Sequence, residues 1–267
     1  MLRFVVHALV LGFVSACGVS PDFRPIFTDS VFSALLRHVP DAEFKGNRVI
    51  SEETTIVAEF GFLDRERADA SLEVEAVGSG TSIRMIRGPG ITYYPESTPV
   101  APSFYRPGVA YRFSAVLASG ERSSAIVSAP AASGPVDFDP SDPVIVGTSP
   151  PIKAHSRGAD LLLQWPPDVG TRSFVSVYRG SATSGASFDR VYDSRPYQTG
   201  SDLVELRFQP ESLNLSVPGA VFMTDGPYLV VLTTLEADET DADLDTAWAV
   251  SVGAASSVAV AVGDYRP

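Results

Sequence analysis

Three features predict an all-β chain of two tandem β-sandwiches: apolar residues recurring at every second position, frequent short breaks from 21 glycines and 21 prolines, and no cysteine beyond Cys17. With 267 residues, 45% of them hydrophobic, the chain can bury two ordinary cores. Lacking cross-links, those cores must stand on burial and sheet hydrogen bonding. The formal net charge of −12, from 32 acidic against 20 basic residues, excludes nucleic acid as a partner, because phosphate neutralisation supplies most of that affinity.

The chain opens with Met1 and Arg3 ahead of an apolar run from Phe4 to Val14, which is shorter than the roughly 20 residues a spanning helix needs. Small residues follow, so residues 1–16 have the layout of a cleaved export signal. Val14-Ser15-Ala16-Cys17 resembles the bacterial lipoprotein lipobox, with Val14 in place of the commoner leucine. The resemblance implies acylation of Cys17, a membrane anchor made of that lipid, and placement in the bacterial cell envelope. Under the Gram-negative sorting rule Gly18, not being aspartate, fits the outer membrane. The competing reading is cleavage by an ordinary signal peptidase, leaving a free thiol at Cys17. Residues 17–28 carry two prolines and no periodicity, which suits an extended tether.

A first sandwich is expected over residues 29–135. Val31 to Val39 fits either a short capped helix stopped by Pro40 or a strand, and the strand is preferred. From Thr54 the alternation is plain, with Ile56, Ala58, Phe60 and Phe62 on one face. Leu72, Val74 and Ala76, then Ile83 and Met85, form two runs joined by a Gly78-Ser79-Gly80 turn. Tyr111, Phe113, Ala115 and Leu117 lead through Ser119-Gly120 to Ala125-Ile126-Val127. The order of Val39-Pro40-Asp41, Thr55 to Phe60, Tyr94-Pro95 and Arg106 to Phe113 resembles the bacterial Ig-like domains of surface proteins, departing from them around Phe44 to Asn47. That family implies a sandwich and a surface role, with no catalytic residue.

Residues 136–143 lie in the Pro/Gly/Ser/Asp-rich run that best serves as a linker, and a second sandwich is expected over 144–267. There Leu161-Leu162-Leu163-Gln164-Trp165-Pro166-Pro167 resembles the second strand of a fibronectin type III domain, whose Trp fills the core. Segments from Phe174, Leu203 and Gly226 supply later strands. Trp248, Val250 and Val252, then Val258, Val260 and Val262, predict two strands of a hairpin turning at Gly253 to Ser257. Tyr111 and Tyr228 each open a strand just after Pro and Gly, the position of a tyrosine corner.

Chemistry is sparse. His38 and His155 lack any HExxH or Cys/His grouping, and no Gly-x-Ser-x-Gly elbow exists. Asp238, Glu239, Asp241, Asp243 and Asp245 form an acidic loop with oxygen ligands for calcium, although the glycine and closing glutamate of an EF-hand are missing; a solvated loop is the plainer account. Asp137, Asp139 and Asp142 at the junction read the same two ways. Tyr93, Tyr94, Phe104 and Tyr105 make an aromatic-rich region that would either meet a partner or pack on its own domain. No cofactor is implied beyond the lipid and that calcium. The expected function is a non-enzymatic, lipid-anchored envelope protein presenting two sandwiches for binding or spacing, with an envelope protein or a glycan as partner. The alternatives are a calcium-dependent adhesion module and a hydrolase with its site between the domains.

Overall fold

The computed structural model describes residues 30–44, 47–62, 69–118, 120, 122–130, 144–145, 151–180, 188–195, 212–238 and 246–264. Cys17 and its tether, the linker 136–143 with Asp137, Asp139 and Asp142, the segment from Leu203 and the acidic residues 239–245 lie outside them. Among the described residues the chain is all-β, the only helical turns being three short 3-10 segments.

The strands in order are β1 (Ser30–Val39), β2 (Ala42–Phe44), β3 (Asn47–Ile50), β4 (Glu53–Phe62), β5 (Ala70–Ala76), β6 (Thr81–Arg87), β7 (Thr92–Pro95), β8 (Ala110–Leu117) and β9 (Arg122–Ser128). They continue as β10 (Val144–Ile145), β11 (Ile152–His155), β12 (Leu161–Gln164), β13 (Arg172–Gly180), β14 (Phe188–Asp193), β15 (Asn214–Val217), β16 (Gly226–Asp238) and β17 (Thr246–Val262). One sheet runs β14-β13-β16-β17-β1-β4-β7-β6-β5-β8-β9. It folds over so that β9 lies beside β16 and β17, enclosing a first core of Phe32, Phe60, Leu72, Val74, Tyr111, Phe113 and their neighbours. The second core lies between the β13-β16-β17 part of the sheet and the separate β12-β15 pair, and holds Leu163, Trp165, Val177, Phe222 and Tyr228.

The strand preferred for Val31 to Val39 is present as β1. Its ambiguity has a physical source: Phe32, Ala34 and Leu36 enter the first core, while Leu35 and Val39 are buried on the opposite face. A strand covered on both faces loses its polar alternation. β16 shows the same effect, buried throughout from Gly226 to Leu235. Its outer face, with that of β17, is covered by the β2–β3 hairpin, which brings Ala42 and Phe44 against Leu229, Val231, Ala259 and Ala261. The turn expected at Gly78-Ser79-Gly80 joins β5 to β6, with both glycines at positive φ, 79° and 68°, where a Cβ would be strained.

The hairpin expected around Gly253 to Ser257 is not formed. Residues 246–262 are one strand of 17 residues. β17 pairs antiparallel with β16 on one edge; its other edge takes β1 and then β11, both parallel. The period of two never breaks: Val250, Val252 and Ala254 face the first core, and Val260 and Val262 face the second on the same side. Gly253, which opens the run expected to turn, lies where the β16 backbone crowds the strand.

Candidate binding groove

β7 is short and leaves its neighbour early. It pairs with β6 only at Met85 to Arg87, after which the chain crosses to β4, where Val100 bridges Thr54. Between the start of β6 and the returning segment 96–106 lies an open groove of about 590 Å³. Ile83, Val100 and Phe104 contribute apolar surface, and Thr81, Ser82, Ser97 and Ser103 contribute hydroxyls. Arg84, Arg106 and Glu96 supply its charges. Among the described residues the Arg106 guanidinium engages only its Nε, which donates to the Ser103 carbonyl at 3.3 Å.

The far wall is the 3-10 turn Pro102–Phe104, fixed from below by Tyr111 at the start of β8. The Tyr111 hydroxyl donates to the Phe104 carbonyl at 2.8 Å and accepts from the Arg106 N–H at 2.7 Å. This is the tyrosine corner expected from the sequence, and Tyr228 repeats it by donating to the Thr224 carbonyl at 2.9 Å. Tyr105 stacks between Tyr111 and His38, with centroids 6.4 and 5.2 Å away and planes within 8° and 3°. Burial pushes the Tyr105 phenol strongly upward, with Tyr111 adding to the effect, and its buried hydroxyl has no hydrogen-bond partner among the described residues. Opposite outcomes are therefore expected from one chemical change. Tyr111→Phe strands two backbone groups and should cost about 1–3 kcal/mol, whereas Tyr105→Phe removes an unsatisfied hydroxyl and should be neutral or stabilising. Urea melts of the two variants check this, and equal losses would contradict the assignment.

Of the aromatic residues singled out in the sequence, Tyr93, Phe104 and Tyr105 are packed in the first core. Tyr94 is 45% exposed, on the outer face beside Ile86, with its ring over Gly88, where a Cβ would collide with the ring. Asp238 is the last residue of β16, while Glu239, Asp241, Asp243 and Asp245 fall outside the described residues, as does Cys17. Among the described residues no three His, Cys, Asp or Glu side chains are grouped to hold a metal ion.

His38 Nδ1 lies 3.1 Å from the Thr54 hydroxyl, and its Nε2 lies 3.8 Å from Glu52. That order of hydroxyl, imidazole and carboxylate resembles a nucleophile with its base, but Thr54 is only 2% exposed and its hydroxyl is directed to the Pro102 carbonyl at 3.4 Å. The set ties β1 and β4 to the groove wall. Burial lowers the His38 pKa, and Glu52 partly opposes this. His155 is buried edge-on against Phe222, with Nε2 3.0 Å from the Ala159 carbonyl.

The groove residues Ser82, Arg84 and Arg106 were not singled out from the sequence. Arg84 reads there as an ordinary solvent-facing position of an alternating strand, and only the early departure of β7 gives it a groove to line. No family model matches the chain, and no curated protein does. Among solved structures it is similar to the crystal structure of Dscam1 isoform 9.44, N-terminal four Ig domains (with zinc), at 14% identity over 86% of this chain. This chain spans about half of that one, 51%, and the TM-score of 0.19 is too low to carry an argument about fold or function.

Proposed function

We propose that the protein is a lipid-anchored, non-enzymatic component of a bacterial cell envelope, held at the outer membrane through acylated Cys17 and presenting its two Ig-like sandwiches for binding or spacing. The observation that carries this reading is Val14-Ser15-Ala16-Cys17 placed directly after a short apolar run, with the chain's one cysteine at the acylation position. Each buried methylene is worth about 0.8 kcal/mol, so two or three acyl chains hold a protein on a bilayer without help from its folded body. A fully extended chain from Cys17 to the start of β1 at Ser30 reaches at most about 45 Å. The shared sheet supports a spacing role, because β17 joins the two cores by backbone pairing rather than through a linker alone. Among the described residues, Thr54, whose hydroxyl meets the His38 imidazole, is buried with that hydroxyl directed to the Pro102 carbonyl.

Intact-mass and N-terminal peptide analysis of the protein purified from membranes tests the anchor. A first residue of Cys17 carrying acyl chains is expected, and Cys17→Ser should incorporate no labelled fatty acid. An unmodified thiol, or retained residues 1–16, would overturn the placement.

A further inference from the structure

Among the described residues, the first half of β6 has no strand paired to one of its sides. One side of β6 pairs with β5 from Thr81 to Met85. On the other side β7 reaches only Met85 to Arg87, with one further bond from the Glu96 N–H to the Arg84 carbonyl at 2.9 Å. Backbone groups in an antiparallel strand point alternately to its two neighbours. Because the Arg84 carbonyl faces β7, Ser82, two residues earlier, directs its N–H and C=O the same way, into the groove. No described strand pairs with it there.

We propose that this groove takes an extended acidic segment of a partner protein, added to β6 as a further strand. An incoming strand would bond to the Ser82 backbone, as in other strand additions. Its side chains would alternate, one set lying towards Ile83, Val100 and Phe104 and the other towards Arg84. Arg84 has no ion-pair partner among the described residues, and Arg106 keeps both terminal nitrogens unengaged there. Among the described residues Glu96 lines the groove and Glu73 lies opposite Arg84 on β5, but neither forms an ion pair with Arg84 or Arg106. In a chain of net charge −12 such a pair selects acidic ligands locally. The Tyr111 corner holds the opposite wall in position before binding, which limits the ordering cost. This inference extends the binding reading and does not depend on the anchor.

The test uses the detergent-solubilised full chain and a labelled, capped Glu-Val-Glu-Val-Glu peptide followed by fluorescence anisotropy. Saturable binding in the micromolar to sub-millimolar range is expected, with slowed hydrogen exchange at the Ser82 amide. Replacing Glu by Lys in the peptide, or N-methylating alternate peptide amides, should abolish binding. Arg84→Gln with Arg106→Gln should weaken it at least tenfold at an unchanged melting temperature. No saturation at millimolar peptide overturns the proposal. So does binding indifferent to N-methylation, or equal binding of an acidic oligogalacturonate, which would make the groove a plain anion site. None of these results bears on the mass of Cys17, so the two readings fail separately.

Discussion

Replacing Gly253 with valine is expected to unfold both cores together. A Cβ at Gly253 would collide with the Thr234 carbonyl oxygen and lie 2.8 Å from the Leu235 Cα, both backbone atoms of β16 that no rotamer change can move. Gly253 is also paired with Arg37 of β1 on its other edge, so the strand cannot shift sideways without breaking a second ladder. Glycine inside a strand commonly marks such a close approach. The expected loss is on the order of 4 kcal/mol or more, in the exceptional class of single substitutions. Because β17 supplies Val250 and Val252 to one core and Val260 and Val262 to the other, the damage should not stay local. Tryptophan fluorescence from Trp165 and hydrogen exchange of β4 and β8 should report the same destabilisation. A variant melting within a few degrees of the parent, or one losing only one core, would refute the shared-strand account.

The second large effect is expected at Asp193, the end of β14. Its carboxylate takes both arms of Arg195, Nε at 2.8 Å and a terminal nitrogen at 2.6 Å, with the Arg195 N–H at 3.1 Å and Arg190 at 3.1 Å. The Asp193 side chain is 4% exposed and that of Arg195 10%. The Arg195 guanidinium lies 5.1 Å from the centroid of Phe174, which Arg37 of β1 approaches from 5.4 Å. Asp193→Ala leaves a nearly buried cation without its bidentate partner, and breaking such a pair costs about 3–5 kcal/mol. The pH dependence has a definite sign. Burial alone would raise the Asp193 pKa, but the hydrogen bonds and charge of Arg195, with the charge of Arg190, outweigh it and hold it below the usual 3.8. A depressed carboxylate stabilises the fold above its unfolded pKa and loses that contribution as the pH falls through the folded value. The stability gap between the parent and Asp193→Asn, measured by urea melts, should therefore be full at neutral pH and shrink below about pH 4. A gap independent of pH would show that the carboxylate's charge is not what matters.

Legibility from sequence followed the number of covered faces. β5 and β8 each have one face in the first core and a more exposed second face, and β4 covers its second face only in part, with Val57 against Leu35 and Phe174, so their alternation was readable residue by residue. The tyrosine corners at Tyr111 and Tyr228 were readable for a similar reason, since the Pro and Gly ahead of each strand fix its start. β1 was ambiguous and the stretch around Gly253 misleading because their environment comes from strands far away in sequence. Of the aromatic residues proposed to meet a partner, composition could not separate Tyr94, which faces out, from Tyr93, one residue earlier and buried. The parity of one short strand decides that. The groove was invisible for the same reason, being a gap between β6 and a chain that turns aside to β4.

The sequence alone determined the all-β class, the core faces of the one-sided strands and the two tyrosine positions, because each is encoded at period two or in a neighbouring turn. Tertiary structure decided that residues 246–262 form one strand through both cores, that a hairpin from the first half covers the second, and that, among the described residues, β7 pairs with only the second half of β6. Those outcomes depend on which distant backbones come to lie side by side, and a local pattern carries no record of its neighbours.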